Sequence, residues 1–264
     1  VDPLQTAVNP DIPSIARVYD YMLGGKDNFA ADRAVGDQLF ALNPDARAAT
    51  LENRAVLVRA IRYLAAERGI TQFLDIGSGL PTQQNVHQAA QAINPDARVV
   101  YVDNDPIVLA HGRALLAEND KTVVIQADMR DPASILTDPQ VSAMLDFDKP
   151  VAVILCGVLH HLDDAEHPRG VVTSFMDRMP AGSHVFITHF ARTGPNSEIA
   201  ERILIAGIGS GRFRTAQEIE ELFDGYSLAE PGVVFVPQWR PEEPIEGELE
   251  DWQRLLMGGL AEKP

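Results

Sequence analysis

Residues 73 to 79 read FLDIGSG. An apolar run of Phe73, Leu74 and Ile76 carries one carboxylate, Asp75, and then opens into Gly77-Ser78-Gly79. A buried strand that ends in glycines offers bare backbone to a ligand, because glycine has no Cβ and accepts the positive φ of a tight turn. Thr82 to Ile93 reads as the following helix, its first amides aimed at whatever sits over the turn. This is a strand–loop–helix unit suited to a nucleotide or nucleoside. A buried strand before Gly-x-Gly is also a common tight turn with no ligand, so the neighbouring segments have to carry the reading further.

They do so at one edge. VVYVDNDP, residues 99 to 106, is a second apolar strand that ends in Asp103 and Asn104. A carboxylate at that place accepts both hydroxyl protons of a ribose. A third strand, Thr122 to Ala127, ends in Asp128-Met129. Ligands of open α/β sheets bind beyond the carboxyl ends of the strands. A dinucleotide site calls for a third glycine, but Thr82 stands three residues after Gly79, and no Gly-Lys-Ser/Thr follows for a phosphate loop. Asp75 near the turn repels phosphate and suits a cation. S-adenosylmethionine, with a sulfonium, an ammonium and no phosphate, fits that charge. A role for Asp75 in bonding local amides is the competing reading.

With these segments in view, the chain resembles the class I S-adenosylmethionine-dependent methyltransferases. FLDIGSG, YVDND and QADMRDP are similar to that family's first three motifs. VAVILCGVLHHLDD (151 to 164) and MPAGSHVFITHF (179 to 190) are similar to its fourth strand and to the turn into its fifth. PSIARVYDYMLGGKDNFAADR (13 to 33) resembles a bacterial subfamily of uncharacterised methyltransferases. The resemblance implies an α/β, Rossmann-like fold. Its sheet would be seven-stranded and mostly parallel, with an antiparallel terminal strand and an N-terminal helical lid. It implies methyl transfer by direct displacement, with S-adenosylmethionine as cofactor. In that frame Asp128 would accept from the adenine amino group, Met129 would pack on the ring, and Cys156-Gly157 would lie under the methionine portion.

Strands are expected near 72–76, 98–103, 122–127, 151–155 and 184–190, with helices near 82–93, 106–117, 131–137 and 165–178. This alternation predicts a parallel sheet covered on both faces. Ser14 caps a first helix that Gly24-Gly25 ends; Asp27 to Leu42 reads as a second. Leu51, Ala55, Val58, Ile61 and Ala65 mark an amphipathic third that stops at Gly69. Pro195 to Ile208 is helical, and Thr215 with Glu218 forms a capping box. Segments 226–229 and 233–237 read as a terminal hairpin joined by Glu230-Pro231-Gly232. Residues 240–251 read as an acidic connector and Trp252 to Leu260 as a short packing helix. The organisation expected is therefore 1–69 as lid and first covering helix, 70–239 as core, and 240–264 as an acidic tail.

Composition is compatible with one large α/β domain: 264 residues, 45% hydrophobic. A single cysteine excludes an intramolecular disulfide framework and suggests a reducing compartment. No membrane-spanning run and no signal segment is read, so a cytoplasmic protein without a membrane partner is expected. The formal charge of −16 opposes a nucleic-acid partner, since such proteins show a basic footprint. A small-molecule acceptor is expected.

In the lid reading, built on Tyr19, Tyr21 and Met22 with Tyr21 as the cofactor-side candidate, an aromatic covers the sulfonium, Gly24 lets the backbone pass close, and Lys26 meets the methionine carboxylate. Asn28, Asp32 and Arg33 hold the segment in place, and ordinary helix packing with a glycine stop is the alternative. His160 and His161 follow the fourth strand and face the acceptor, where a histidine takes a proton. His189 is a further acceptor-side candidate. The His160, His161, Asp163, Asp164, His167 cluster matches no closed metal-site spacing, and no metal is expected. No residue is assigned to catalysis, since aligning an acceptor with an activated methyl group needs no obligatory acid or base. Two other classes stay open: a protein that binds S-adenosylmethionine or its demethylated product without turnover, and a nicotinamide oxidoreductase.

Overall fold

The computed structural model describes residues 8–81, 84–115 and 119–264. Ser14 accepts a hydrogen bond from the Arg17 amide and starts α1, Ile15–Leu23; Gly24, at φ 87°, ends it. α2 runs Ala30–Leu42 and α3 Ala46–Ala66. α3 starts earlier than the apolar spacing predicts, because Ala46, Ala49 and Thr50 extend its buried face.

Strands and helices then alternate. The strands are β1 (Gln72–Ile76), β2 (Arg98–Asp103), β3 (Thr122–Gln126), β4 (Ala152–Cys156) and β5 (His184–Phe190). Between them lie α4 (Val86–Gln91), α5 (Pro106–Leu115), α6 (Pro132–Thr137), α7 (Pro139–Met144) and α8 (Pro168–Arg178). Thr82, and residues 116 and 117 of the expected second crossover helix, lie outside the described residues. After β5 come α9 (Pro195–Ile208), α10 (Ala216–Glu220), β6 (Ser227–Leu228), β7 (Val234–Phe235) and β8 (Leu256–Glu262).

The sheet order is β3-β2-β1-β4-β5-β8-β6, with β7 also on β8. The first five strands are parallel. β8 is antiparallel to β5, with Phe190 opposite Leu256 and His184 opposite Glu262. β6 and β7 pair with β8 at successive stations, Leu228 opposite Ala261 and Val234 opposite Gly258. Together they form one interrupted edge strand, which gives the Rossmann-like sheet seven positions and one antiparallel member.

Two expectations are corrected here. Segments 226–229 and 233–237 do not form a hairpin with each other; both lie along β8. Trp252 to Leu260 is not a packing helix. Asp251–Arg254 is a single 3₁₀ turn, and the apolar residues after it enter the sheet as β8. Gly258 allows this: a Cβ there would lie 2.6 Å from the Ile187 carbonyl oxygen. The end of the expected acidic tail is thus an internal strand.

The period-two alternation of the strands separates two cores. Leu74, Val100, Val153 and Val185 pack with Ile135, Val141 and Phe175 of α6, α7 and α8. Phe73, Val99, Ile154 and Phe186 pack with Val56, Ile61 and Leu64 of α3 and with Trp239. A third cluster joins Val18 and Met22 of α1, Val35 and Leu39 of α2, and Leu204 of α9. These helices form a cap at the carboxyl edge of the sheet.

Candidate functional site

β1 ends against that cap. The Gly77 and Ser78 amides both donate to the Val102 carbonyl, at 2.7 and 3.1 Å, and tie the turn to β2. Gly77 and Gly79 have φ of 70° and 66°. A Cβ on Gly77 would lie 2.4 Å from Val158, whereas one on Gly79 would meet nothing within 4 Å. Gly77 is therefore fixed by packing, and Gly79 leaves an open face.

Asp103 ends β2 with its carboxylate turned inward. Its oxygens accept from the Gly79 amide at 2.8 Å and from the Asp105 amide at 2.9 Å. Burial pushes this carboxyl up to about 6, against the pull of those two amides. A carboxylate offers about four lone-pair positions, so acceptor capacity is left for ligand hydroxyls. Beyond β3, the Asp128 carboxylate receives the Arg130 amide at 2.9 Å, and the Arg130 guanidinium bridges Asp128 and Glu166. Beyond β4, Cys156 is held by Thr188, whose hydroxyl lies 3.4 Å from its sulfur. Burial pushes the thiol up to about 11, so it is no nucleophile at neutral pH.

A cavity of about 570 Å³ runs along this edge, and Gly77, Ser78, Gly79, Asp103, Asn104, Asp128, Met129, Cys156 and Gly157 all line it. The strand ends thus bring together the residues singled out from the sequence. Asp75 lies just below, buried in β1, and burial raises its carboxyl to about 7 while Arg54 acts against the rise.

Tyr21, Gly24 and Lys26 do not line the cavity. α1 turns Tyr19 and Met22 toward it and Tyr21 away. The Tyr21 ring packs near Phe40 and its hydroxyl donates to Asp37 at 2.6 Å. Gly24 ends α1, and the loop after it closes on Asp20, whose carboxylate accepts from the Asp27 amide and the Asn28 side chain. Lys26 is exposed on that loop. Asp32, fully buried, accepts from Arg17 at 2.9 Å and from the Ser14 and Phe29 amides, which draws residues 9 to 14 over the cavity.

The sequence reading chose Tyr21 over Tyr19 and missed Asn53 and Arg54. Asn53 donates to the Tyr19 hydroxyl at 3.1 Å and accepts from Thr188 at 2.7 Å, so it joins α1, α3 and β5. Burial pushes the Tyr19 phenol up to about 12. The available signal was the polar set Thr50, Asn53 and Arg54, at three- and four-residue spacing near the start of an amphipathic helix.

At the other end the cavity is apolar, with Leu39, Leu42, Leu204 and the stacked rings of Phe190 and Phe213, 4.7 Å apart. His160 and His161 line it from a 3₁₀ turn after β4. His161 Nδ1 lies 2.9 Å from the Ser210 hydroxyl, while His160 Nδ1 is buried without a partner among the described residues. His189 is not in the lining: its Nε2 takes a hydrogen bond from Arg214 at 2.9 Å and its Nδ1 donates to the Phe190 carbonyl. Burial holds His160 well below the usual imidazole range, and His161 and His189 at about 3, so all three are neutral. Among the described residues no group of three or more His, Cys, Asp or Glu converges on a metal position, and no helix is long and apolar enough to cross a membrane.

The S-adenosyl methyltransferase family model matches residues 2–264. The chain belongs to that family. Its activity is S-adenosylmethionine-dependent methyl transfer. A crystal structure from Thermobifida fusca, assigned to the methyltransferases, is 48% identical; the match covers 98% of this chain and 97% of that one, with a TM-score of 0.93. A duf574 family protein from Streptomyces avermitilis is 38% identical over 97% of this chain and 100% of that one, with a TM-score of 0.92. An O-methyltransferase family protein from Burkholderia thailandensis, at 13% identity, 84% and 61% coverage and a TM-score of 0.53, shares the fold. No curated protein matches. The methyltransferase cavity fits its cofactor on its own geometry. Among the described residues, the face beyond Gly79 is open, Asp103 is turned inward beside it, and the buried Arg54 Nε has no partner.

Proposed function

We propose that this methyltransferase acts on a small, largely apolar acceptor held between its helical cap and the carboxyl edge of its sheet. What supports the reading is one continuous cavity, polar at Gly79 and Asp103 and apolar at Leu204 and Phe213. When bound, S-adenosylmethionine supplies an electrophilic methyl group on a sulfonium. Asp103 accepts the ribose hydroxyls, and Asp128 with Met129 receives the adenine. Gly77, Ser78, Gly79, Cys156 and Gly157 give the methionine portion a close backbone surface.

The remaining task is orientation and exclusion of water, which supplies up to ~7–11 kcal/mol in ideal cases. Residues 9 to 14, anchored through Asp32, close the cavity from above. His160 meets the acceptor's O–H or N–H, since its buried Nδ1 is unsatisfied and its ring is neutral. The formal charge of −16 disfavours a nucleic-acid acceptor.

The test is methyl transfer from radiolabelled S-adenosylmethionine to a panel of apolar phenols and amines, with nucleic acid and protein in parallel. Label on the small molecules alone is the expected result. Label on nucleic acid or protein alone would refute the acceptor class, and titration that shows S-adenosylhomocysteine bound but no label transferred to any acceptor would favour a binding protein without turnover.

A further inference from the structure

Three arginines line the cavity. Arg17 is paired with Asp32 at 2.9 Å, and Arg130 with Asp128 and Glu166. Arg54 differs. It is half-buried, and no described carboxylate lies within 4.0 Å of it. Of its five N–H donors, Nη2 makes one long contact, 3.5 Å to the Gln84 carbonyl, and Nε is buried without a partner among the described residues. A half-buried cation with unused donors in a cleft calls for an anion.

The position says which anion. Arg54 extends from α3 toward the turn after β1 and the end of β4, and its charge acts on Asp75 and Cys156 as well as on Tyr19 of α1 and Tyr101 of β2. Of these, the end of β4 lies across β1 from β3, whose end carries Asp128 and Met129. A nucleoside placed with its ribose at Asp103 and its base at Asp128 therefore directs its 5′ substituent to Arg54.

We infer that Arg54 is a carboxylate subsite at which a guanidinium receives the α-carboxylate of the methionine moiety, so that the enzyme selects donors that carry an amino-acid end. This rests on the cavity being the S-adenosylmethionine site. It replaces Lys26, which the sequence suggested for that carboxylate and which the loop after α1 carries out to solvent. Asp75, buried in β1 beneath the turn, would complement the α-ammonium from below. Arginine suits the task because its planar fork matches a carboxylate with two parallel N–H···O bonds, whereas lysine offers a point charge.

Calorimetric titration of the full chain near neutral pH separates the possibilities. The probes are S-adenosylhomocysteine, which has the carboxylate, and 5′-methylthioadenosine, which lacks the whole amino-acid end. Hydrogen bonds to charged groups imply an effect of about 10- to 100-fold. Arg54→Gln is expected to weaken S-adenosylhomocysteine by that factor and to leave 5′-methylthioadenosine within about twofold. Arg54→Lys is expected to fall between wild type and Arg54→Gln. An equal loss for both ligands would show that Arg54 only shapes the pocket, and no loss for either would show that it binds nothing; both overturn the inference. Wild-type protein that binds neither nucleoside would overturn the cofactor site itself, a separate failure visible before any variant is made.

Discussion

Burial raises the Asp75 carboxyl to about 7, well above the unfolded carboxylate range. A carboxyl with a raised folded pKa holds more protons in the folded state, so stability falls as pH climbs from about 4 to about 7. The ligand-free protein bears that cost near neutral pH, and a cationic ligand end that pairs with ionised Asp75 offsets it. Asp75→Asn is therefore expected to raise the melting temperature of the ligand-free protein at about pH 8 by several degrees, given ~2–4 °C per kcal/mol. At about pH 5 the gain should be small. Wild-type affinity for S-adenosylmethionine is expected to rise between about pH 5.5 and 8, and the same variant should weaken binding by roughly tenfold and remove that rise. Titration calorimetry at several pH values checks this; a variant with wild-type affinity and slope would release Asp75 from ligand binding. His160 gives a different signature. Its protonation lies well below the imidazole range, so acceptor turnover should show no His160 limb between about pH 6 and 8. His160→Ala should lower kcat/KM for the acceptor by about 10- to 100-fold and leave cofactor affinity alone, whereas a joint loss of both would mark a structural role.

The strands and most crossover helices were legible because their apolar patterns, glycine turns and caps agree with one another; α7 was not foreseen. Ser14, Asp131 and Thr215 cap α1, α6 and α10 as their types require. β8 was not legible. LLMGGLAE is a short run buried on both faces, without alternation, and two glycines depress its strand propensity. Its pairing with β5 requires Gly258, where a Cβ would meet the Ile187 carbonyl, while Gly259 packs close to Gly232 and Val233. The site divides in the same way. Residues fixed by strand ends were readable in sequence, whereas those set by which side of α1 and α3 meets the cavity, Tyr19 and Arg54 rather than Tyr21 and Lys26, depend on packing between distant helices. Two tests belong to this scale. A chain ending at Asp251 lacks β8 and exposes both β5 and the β6–β7 edge; it is expected in the insoluble fraction, and a soluble truncation with native circular dichroism would contradict the sheet order. Asp32→Ala leaves Arg17 buried without its partner, a loss of about 3–5 kcal/mol for pairs of this kind. Limited proteolysis should then cut before residue 15 faster than in wild type, with S-adenosylmethionine affinity reduced; unchanged cleavage would mean that residues 9 to 14 hold their place without Asp32.

Across the molecule, the cavity is the point at which separate layers meet. α1, α2 and α9 face it from the cap, α3 from one side, and the turns after β1 to β4 from below. A ligand there bridges the third hydrophobic cluster to the sheet, so its binding energy adds to the stability of the whole chain rather than of one loop. At a ligand concentration of 100 times Kd the added stability is ~2.7 kcal/mol, which corresponds to a rise of about 5–10 °C in Tm for a chain of this size. S-adenosylhomocysteine is expected to produce it. NAD is not: its pyrophosphate would face Asp103 and Asp75 in a protein of formal charge −16, and two of the three cavity arginines are already paired with carboxylates. Differential scanning calorimetry with each ligand at matched concentration makes the comparison. A shift with NAD as large as that with S-adenosylhomocysteine would show that the edge beyond Gly79 tolerates phosphate, and the charge argument that selects a cationic, phosphate-free cofactor would fail.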